Sequence, residues 1–490
     1  MKKIVTRYPL FLLLLPVFFV LHGFMENYDF VPVKDAALLI LLYYLTSLIL
    51  LLLFRFFYKN WLKAALMTFI TMAFHFFFGS IQDAIRNYFP GSLISKYAFL
   101  LPASFCLLLL LFIFLKKTKK PLQKTASYLN LLFLLLIVID IVLLARKMSH
   151  PKINEAAVLS KEFTPFADSS KPDVYIIISD EYAGNTELKD IFNFDNTPFF
   201  DQLVQRGFHV IPKSTSNYNF THYSIASTLN MDYLDLRPKG NQPLLAYAYE
   251  TVRNNKLLHF LQHHQYKFYN YSLVDFKGDP AHTQETFLPV KTRLITSQTF
   301  LSRLNKEVRY HLVTWLKSKK EIRKNVYDTK INNETLIPLT LKAAEEKTIQ
   351  PKFVLTHLLM PHYPYYFDKN GKEFPLEQLM EGNQHLQQNY IEYLQYTNKK
   401  LLEITDHILE NSSTPPVIIL MGDHGFRHFD KPVDPKYFFY NLAAVHLPGK
   451  NYSSFTDSLT NVNLVRAVLN TTFNQQLHYL KDTTIITDNP

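Results

Sequence analysis

Acidic and imidazole side chains follow three short apolar runs that lie far apart in the sequence. They are Asp180 and Glu181 after the first run, His357 and then His362 after the second, and Asp423-His424 after the third. Oxygen and nitrogen donors without a thiolate suit Zn²⁺ or Mn²⁺, and they suit Mg²⁺ less well because of the imidazole. Each set alone could be a turn or a helix cap, but three sets after three similar runs favour one divalent-cation site.

A hydroxyl nucleophile for such a site is available at Thr221. This residue stands where a turn-like stretch gives way to a helical pattern. The positive end of a helix dipole and a nearby cation would both favour the alkoxide form of its side chain. The alternative that the residues leave open is that Thr221 only caps this helix.

The elements that must position these groups are buried strands. The runs Val174–Ser179, Phe353–Thr356 and Val417–Met421 are short, apolar and without alternation, as expected of strands covered on both faces. Between the last two runs, Leu376–Leu409 has helical periodicity. This order predicts an α/β domain with a largely parallel central sheet flanked by helices. Ligands of such sheets bind beyond the carboxyl ends of the strands, where the acidic and imidazole groups would converge.

The N-terminal third consists of nearly uncharged apolar stretches separated by short basic loops. Each is close to the roughly 20 residues that a helix needs to cross about 30 Å of hydrocarbon. We predict a five-helix transmembrane domain over residues 1–146, a connector over 147–171 and a catalytic domain over 172–490. The five predicted spans are Pro9–Met25, Ala36–Phe54, Ala64–Gln82, Tyr97–Leu115 and Tyr128–Leu144.

The net charge of +11 lies entirely in this N-terminal third. Residues 1–150 hold 16 Lys and Arg against 5 Asp and Glu, whereas residues 151–490 hold 36 of each. The polar domain is therefore neutral, which argues against nucleic acid as a partner. With a cytoplasmic N-terminus, most of the basic residues fall in inner loops, so an odd number of spans delivers the polar domain to the outside. We expect a multi-pass protein of a bacterial cytoplasmic membrane with an extracytoplasmic catalytic domain.

Two ionisable residues, His75 and Asp140, lie inside the predicted spans. Because burying them in lipid is costly, a partner or a water-filled cavity is expected. A contact with a lipid headgroup or a relay is one interpretation, and a polar pair between two helices is the favoured one.

Several motifs together resemble a known group of enzymes. They are Glu181 after an apolar strand, Thr-x-x-Ser at Thr221–Ser224, His362 before Tyr-Pro, Asp423-His424-Gly425, and the stretch Asn461–Asn470. Their order is similar to that in the sulfatase-like branch of the alkaline phosphatase superfamily. More narrowly, it resembles lipoteichoic acid synthase and the lipid A phosphoethanolamine transferases, which also place five membrane spans before an extracytoplasmic catalytic domain.

The resemblance implies a ligand set. Glu181, Asp423 and His424 would hold a divalent cation, with Thr221 as both fourth ligand and nucleophile. Asp180 corresponds to an additional carboxylate of related two-metal hydrolases.

It also implies substrate contacts. His362 corresponds to a histidine near the phosphoryl oxygens, and His357 and His428 are candidates for a second metal or for the substrate. Arg427 would contact phosphate if it points inward, the alternative being an exposed arginine.

The implied activity is a metal-dependent phosphotransfer. A phospholipid donor would give a phosphoglycerol or phosphoethanolamine unit to Thr221, and a hydroxyl of an envelope glycan or lipid would accept it. The alternatives are a hydrolase of phosphate or sulfate esters and a non-catalytic membrane protein that binds. The sequence has no C/S-x-P-x-R motif, which disfavours sulfate-ester hydrolysis, and its single cysteine, Cys106, allows no disulfide in the catalytic domain.

Overall fold

The structure is a computed structural model that divides into two compact units. One comprises Met1–Lys152 and Pro289–Ser318, and the other comprises Ile153–Leu288 and Lys319–Pro490. Most of the predicted connector, 147–171, lies outside the described residues. The described ranges are 8–28, 31–89, 91–149, 161–164, 171–235, 244–277, 279–282, 291–307, 319–380 and 382–487.

The first unit is a bundle of apolar helices, one for each predicted span. They are α1 (Phe11–Glu26), α2 (Val33–Tyr58), α3 (Trp61–Tyr88), α4 (Tyr97–Lys117) and α5 (Gln123–Ser149). Four of the described helices, α2 to α5, are long and apolar enough to cross a membrane. All five predicted helices are present, but α1 falls short of that length, because it has 16 residues and spans only about 24 Å. Unlike α2 and α4, most of whose leucines are exposed, α1 is packed among its neighbours, with Phe11 and Val20 fully buried.

Contacts between helix ends fix the directions of the helices. Lys147, in the last turn of α5, donates to the carbonyl of Met25 at the end of α1 over 2.9 Å. Lys63, in the first turn of α3, donates to the carbonyl of Thr118, just after α4, over 2.8 Å. Helices α1 and α5 therefore end on one face of the bundle, and α4 ends on the face where α3 begins. Successive helices alternate in direction, α1 included.

The first unit also contains a segment from much later in the chain. Its two short helices are Arg293–Thr296 and Phe300–Glu307. The N–H of Gly79 in α3 donates to the carbonyl of Gln298 over 2.8 Å, and a Cβ at Gly79 would lie only 2.5 Å from that oxygen. Arg303 bonds Asp83, one turn further along α3, at 2.6 Å. The sequence assigned these residues to the catalytic domain, whereas here they pack on the membrane helices.

A polar pair joins two of the membrane helices. The Nδ1 of His22 in α1 lies 3.1 Å from Oδ1 of the buried Asp140 in α5. This is the helix–helix polar pair expected at Asp140, with a partner that the sequence did not single out. His75 takes no part in it, and its ring lies against those of Tyr43 and Phe76.

The second unit is built on a six-stranded sheet in the order β2-β6-β5-β1-β4-β3. Its strands are β1 (Val174–Ser179), β2 (His209–Val210), β3 (Lys267–Tyr271), β4 (Lys352–Leu358), β5 (Val417–Gly422) and β6 (Ala443–His446). Strands β5, β1, β4 and β3 are parallel, and β6 pairs antiparallel with β5 and β2. The three predicted runs are the neighbouring strands β5, β1 and β4. The expected α/β class with a largely parallel sheet is confirmed.

Helices cover both faces of this sheet. They are α6 (Asn185–Asp190), α7 (Thr197–Gln205), α8 (Thr221–Asn230), α9 (Leu244–Arg253), α10 (Lys256–His263), α11 (Lys319–Glu345), α12 (Gln387–Asn411) and α13 (Asn461–Thr472). Ile176 and Ile178 of β1 pack in one apolar core, and Tyr175 and Ile177 pack in the other. This two-sided burial explains why the strand sequences show no alternation.

One predicted helix is shorter than its pattern. The periodicity of Leu376–Leu409 continues through a 3-10 turn, Leu376–Gln378, but α12 begins only at Gln387. Gly382, with φ +96°, adopts a left-handed conformation that interrupts a helix.

Candidate active site

The predicted donors meet at the carboxyl ends of the three central strands. In register, Ser179 of β1 lies beside Leu358 of β4 and Gly422 of β5, so these strands end at one level. The donors form two groups of three residues. In each group, the candidate ligand atoms all lie within 4.8 Å of one another. We call Asp180, Asp423 and His424 the inner group, and Glu181, His362 and His428 the outer group.

The inner group is fully buried and held by the backbone. Oδ1 of Asp423 accepts hydrogen bonds from the N–H groups of Glu181, at 3.0 Å, and His424, at 2.9 Å. The Nδ1 of His424 bonds the carbonyl of Gly425 at 2.8 Å. Because a carbonyl only accepts, Nδ1 carries the hydrogen, and Nε2 offers its lone pair to the group. That Nε2 lies 3.3 Å from Oδ2 of Asp423.

Thr221 faces the inner group. It is the first residue of α8, and the N-cap position is taken by Phe220, which makes no side-chain cap. The hydroxyl of Thr221 lies 3.2 Å from Nε2 of His424. Ser224, one turn later, donates to the carbonyl of Asp423 over 2.5 Å and ties the helix to the loop that carries Asp423 and His424. The hydroxyl of Thr221 is thus directed at the donor group and does not serve as a cap.

The outer group is assembled around a strained turn. Glu181 has φ 58°, the left-handed region that a residue with a Cβ rarely adopts. The hydroxyl of Tyr390 holds this turn, because it donates to the carbonyl of Glu181 at 2.8 Å and accepts from the N–H of Ala183 at 2.9 Å. Oε1 of Glu181 then lies 3.3 Å from Nε2 of His428, and its Oε2 lies 4.0 Å from Nε2 of His362.

The two adjacent acids therefore point into different groups. The resemblance implied Glu181 as the partner of Asp423 and His424, with Asp180 as the additional carboxylate. In the structure, Asp180 carries the carboxylate that joins Asp423 and His424, and the side chain of Glu181 joins the outer group.

His357 lies behind Asp180. His357 belongs to β4 and its ring is fully buried. Its Nε2 lies 3.0 Å from Oδ2 of Asp180, within hydrogen-bond distance. This contact orients the carboxylate of Asp180, and a second-metal or substrate contact at His357 stays a prediction.

Arg427 points inward. Its side chain is only 17% exposed, and its Nε lies 4.0 Å from Oε1 of Glu181. The guanidinium carbon lies 4.4 Å from the ring centroid of Phe220, the residue before Thr221. Nε is buried and makes no hydrogen bond. Of the two alternatives left by the sequence, the inward orientation is the one observed.

Three buried carboxylate oxygens of the site have no hydrogen-bond partner: Oδ1 of Asp180, Oε2 of Glu181 and Oδ2 of Asp423. Burial, reinforced by the charge of Asp180, raises the pKa of Asp423 to about 7. Burial acts on Asp180 in the same direction, but the imidazoles of His362, His357 and His424 outweigh it and lower the pKa of Asp180 below its ordinary value. Unpaired buried carboxylates are costly unless a cation satisfies them.

The histidines differ in their protonation. Burial lowers the pKa of His424 well below its ordinary value, and burial also lowers the pKa of His428. Burial opposes protonation of His362 too, but the carboxylates of Asp180 and Glu181 outweigh it and raise its pKa. His424 and His428 are therefore neutral imidazoles with lone pairs. Together with the three unpaired oxygens, they form a donor set that fits a divalent cation.

Two supporting residues were missed by the sequence analysis. Tyr390 holds the turn of Glu181, and the fully buried Glu187 of α6 accepts from the N–H of Phe426 at 3.3 Å. Burial raises the pKa of Glu187 well above its ordinary value. Phe426 lies between His424 and His428, so Glu187 supports the loop that carries both. Neither residue stands at a strand end or in a motif, and no sequence signal marks it.

No family model matches the chain, and no curated protein sequence matches it. Several solved structures match the chain. The integral membrane lipooligosaccharide phosphoethanolamine transferase A from Neisseria meningitidis is 11% identical, with 98% of this chain and 97% of that chain covered and a TM-score of 0.40. The periplasmic domain of phosphoethanolamine transferase EptC from Campylobacter jejuni is 12% identical, with 63% and 91% covered and a TM-score of 0.35. A phosphonate monoester hydrolase of Agrobacterium radiobacter is 12% identical, with 62% and 74% covered and a TM-score of 0.37.

Proposed function

We propose that this protein is a membrane-bound, metal-dependent phosphotransferase that acts through a covalent phosphothreonine at Thr221. One observation carries the proposal. The hydroxyl of Thr221, at the start of a helix, lies 3.2 Å from a neutral histidine in the recess that contains three unpaired buried carboxylate oxygens. A nucleophile beside a cation site is the arrangement that attack on an anionic phosphodiester requires.

The chain's own residues supply positioning and charge. A divalent cation, when bound by the inner group, neutralises phosphate charge and lowers the pKa of the Thr221 hydroxyl. Thr221 Oγ1 loses its proton and forms a bond to phosphorus while the bond from phosphorus to the leaving alcohol breaks, and the leaving oxygen takes up a proton. An acceptor hydroxyl then loses its proton and displaces Thr221 from phosphorus, and Thr221 Oγ1 is protonated again. Arg427 and His362, on the open side of the recess, bind phosphoryl oxygens.

The donor in this proposal is a phospholipid, whose headgroup supplies phosphoglycerol or phosphoethanolamine, and the acceptor is an envelope glycan or lipid. A catalytic domain joined to a membrane bundle meets lipid headgroups at a raised local concentration. We assign the catalytic domain to residues 172–490, of which the described segment 291–307 packs on the membrane helices.

The catalytic domain is placed outside the cytoplasmic membrane, which requires α1 to act as a fifth crossing. Two features support this. The alternating directions of the five helices include α1. The two loops that precede α3 and α5, with the helix ends beside them, carry lysines 59, 63, 116, 117, 119, 120 and 124 on one face of the bundle. That basic face is the cytoplasmic one by the charge rule for membrane loops.

The test is intact-mass spectrometry of the detergent-purified protein after incubation with phosphatidylethanolamine and phosphatidylglycerol and with Zn²⁺ or Mn²⁺. We expect a mass increment on the wild type, whose size identifies the headgroup, and none on Thr221→Ala. Thr197→Ala is the matched control, because Thr197 is also the first residue of a helix but lies in α7. It should be modified like the wild type.

Two outcomes would contradict the proposal. An increment that persists in Thr221→Ala would exclude this residue as the nucleophile. Metal-loaded wild type that releases free headgroup phosphate without any acceptor would identify a hydrolase of the same fold.

A further inference from the structure

The last described part of the chain, residues 474–487, follows α13 without a helix or a regular strand. We call these residues the C-terminal tail. Most of the side chains from residue 481 onward are exposed; Ile486 is 61% exposed, and the last described residue, Thr487, is buried. Apolar packing alone does not hold such a segment, so its hydrogen bonds decide where it lies.

Asparagines of α13 hold the first half of the tail. Asn470 makes two hydrogen bonds to the backbone of Leu477, one to its carbonyl at 2.9 Å and one from its N–H at 2.8 Å. Asn463 makes the same pair to Leu480, at 2.7 and 2.9 Å. A side-chain amide that satisfies both backbone groups of one residue fixes an extended segment much as a neighbouring strand does.

The second half of the tail leaves α13 and runs along the loop that leads to Thr221. The N–H of Ile485 donates to the carbonyl of Asn217 at 2.9 Å, and Ile485 forms a parallel bridge with Tyr218. Asn219 repeats the paired bonds of α13, accepting from the N–H of Thr487 at 2.8 Å and donating to its carbonyl at 3.2 Å.

The loop that leads to Thr221, residues 214–220, is hydrogen-bonded both to the body of the domain and to the tail. In the first half, Ser216 donates to the carbonyl of Phe439 at 2.7 Å, and the N–H of Asn461 donates to the carbonyl of Thr215 at 3.1 Å. In the second half, the carbonyl of Asn217 and the side chain of Asn219 bond to the tail, while the side-chain oxygen of Asn217 accepts from the N–H of Val462 in α13 at 3.0 Å. Only Phe220 separates the last of these contacts from Thr221, and its ring lies under the guanidinium of Arg427.

We propose that the C-terminal tail is a strap that positions the nucleophile, with Asn219 as the positioning residue. The proposal rests on the proposed function of Thr221. An attacking oxygen must be held close to its reactive position, and small displacements lower rates steeply. The tail restrains the last three residues before Phe220, and through them the start of α8.

The first test compares two asparagines that make the same pair of bonds at opposite ends of the tail. Asn219→Ala should slow phosphothreonine formation by about 10- to 100-fold, because Thr221 loses its restraint. Metal content and KM for the lipid donor should stay near the wild-type values. Asn470→Ala loses an equivalent pair but should keep the wild-type rate. Ending the chain after Thr483 should reproduce Asn219→Ala, whereas ending it after Thr487 should not.

The second test does not depend on the chemistry. Hydrogen exchange measured on peptides that cover residues 214–224 should be faster in Asn219→Ala than in the wild type and unchanged in Asn470→Ala. Equal hydrogen exchange in all three proteins, or an equal loss of phosphothreonine formation rate in both variants, would contradict the proposed role of the tail. If the wild type forms no phosphothreonine, the proposed function fails, and hydrogen exchange still decides whether the tail restrains the loop.

Discussion

The inner and outer donor groups use the same residue types but differ in exposure and in support. Every member of the inner group is buried, and its ligand atoms are held by backbone N–H groups and by His357. The outer group contains the buried Glu181, but the side chains of His362 and His428 are 23% and 32% exposed. The inner group is closed to solvent, and the outer group is the more open side of the recess.

The remaining residues of the site follow the same division. Thr221 lies against His424 of the inner group, and Arg427 lies against Glu181 of the outer group. A catalytic cation site needs fixed protein ligands and one open position. The difference between the groups suggests that the inner one fixes the cation and the nucleophile, while the outer one meets the phosphoryl oxygens.

The strongest test of this division removes one inner carboxylate. Asp423→Asn keeps the shape of the side chain but removes a charged ligand, so we expect loss of bound metal and a fall in phosphotransfer of about 1,000-fold or more. Metal content is measured by mass spectrometry of the elements and folding by circular dichroism. Stoichiometric metal in a folded variant would remove Asp423 from the ligand set.

The same substitution should have the opposite effect on the metal-free protein. The pKa of Asp423 in the fold, about 7, lies above its unfolded value of about 3.9, so its ionised form costs stability above pH 7. Asn carries no charge there. We expect the metal-free variant to be more stable than the metal-free wild type at pH 8, by roughly 2–4 kcal/mol.

This advantage should shrink as the pH falls from 7 towards 4, because in that range the carboxyl holds a proton in the folded wild type but not in the unfolded chain, so a lower pH favours the folded wild type. Thermal unfolding with a chelator, compared between the two proteins at each pH, isolates Asp423 from the other titrating groups. A constant difference across the range would contradict the assignment.

A substitution in the outer group should cost less. His428→Gln removes an imidazole that is partly exposed, and we expect phosphotransfer to fall by about 10- to 100-fold while metal stays bound at the inner group. Steady-state rates and metal content from the same preparation check this. Loss of all metal from His428→Gln would show that the two groups form a single site.

The smallest effect is expected at Arg427. Lysine keeps the charge but loses the planar contact with Phe220 and the fork of N–H donors, so Arg427→Lys should weaken donor binding by about tenfold. The expected change is in KM, with little change in kcat. Arg206→Lys is the control, because Arg206 is paired with Asp406 outside the site. Equal KM values for the two variants would exclude a phosphate contact at Arg427.

The sequence by itself determined the central strands, the membrane helices and the edge of the sheet at which the candidate site residues lie. Apolar runs without alternation predicted β1, β4 and β5, long apolar stretches predicted the membrane helices, and strand ends marked Asp180, Glu181, Asp423 and His424. These features are encoded locally, because burial on both faces, or in lipid, requires apolar residues one after another.

Only the tertiary structure decided how the side chains of the site are shared. Which of Asp180 and Glu181 joins Asp423 depends on the left-handed turn at Glu181, which is held by a tyrosine 209 residues away. The inward direction of Arg427, the place of His357 behind Asp180 and the path of the tail beside Asn219 likewise depend on distant partners. Side-chain direction is set by backbone angles and packing that arise only when distant segments meet, and no local pattern records it.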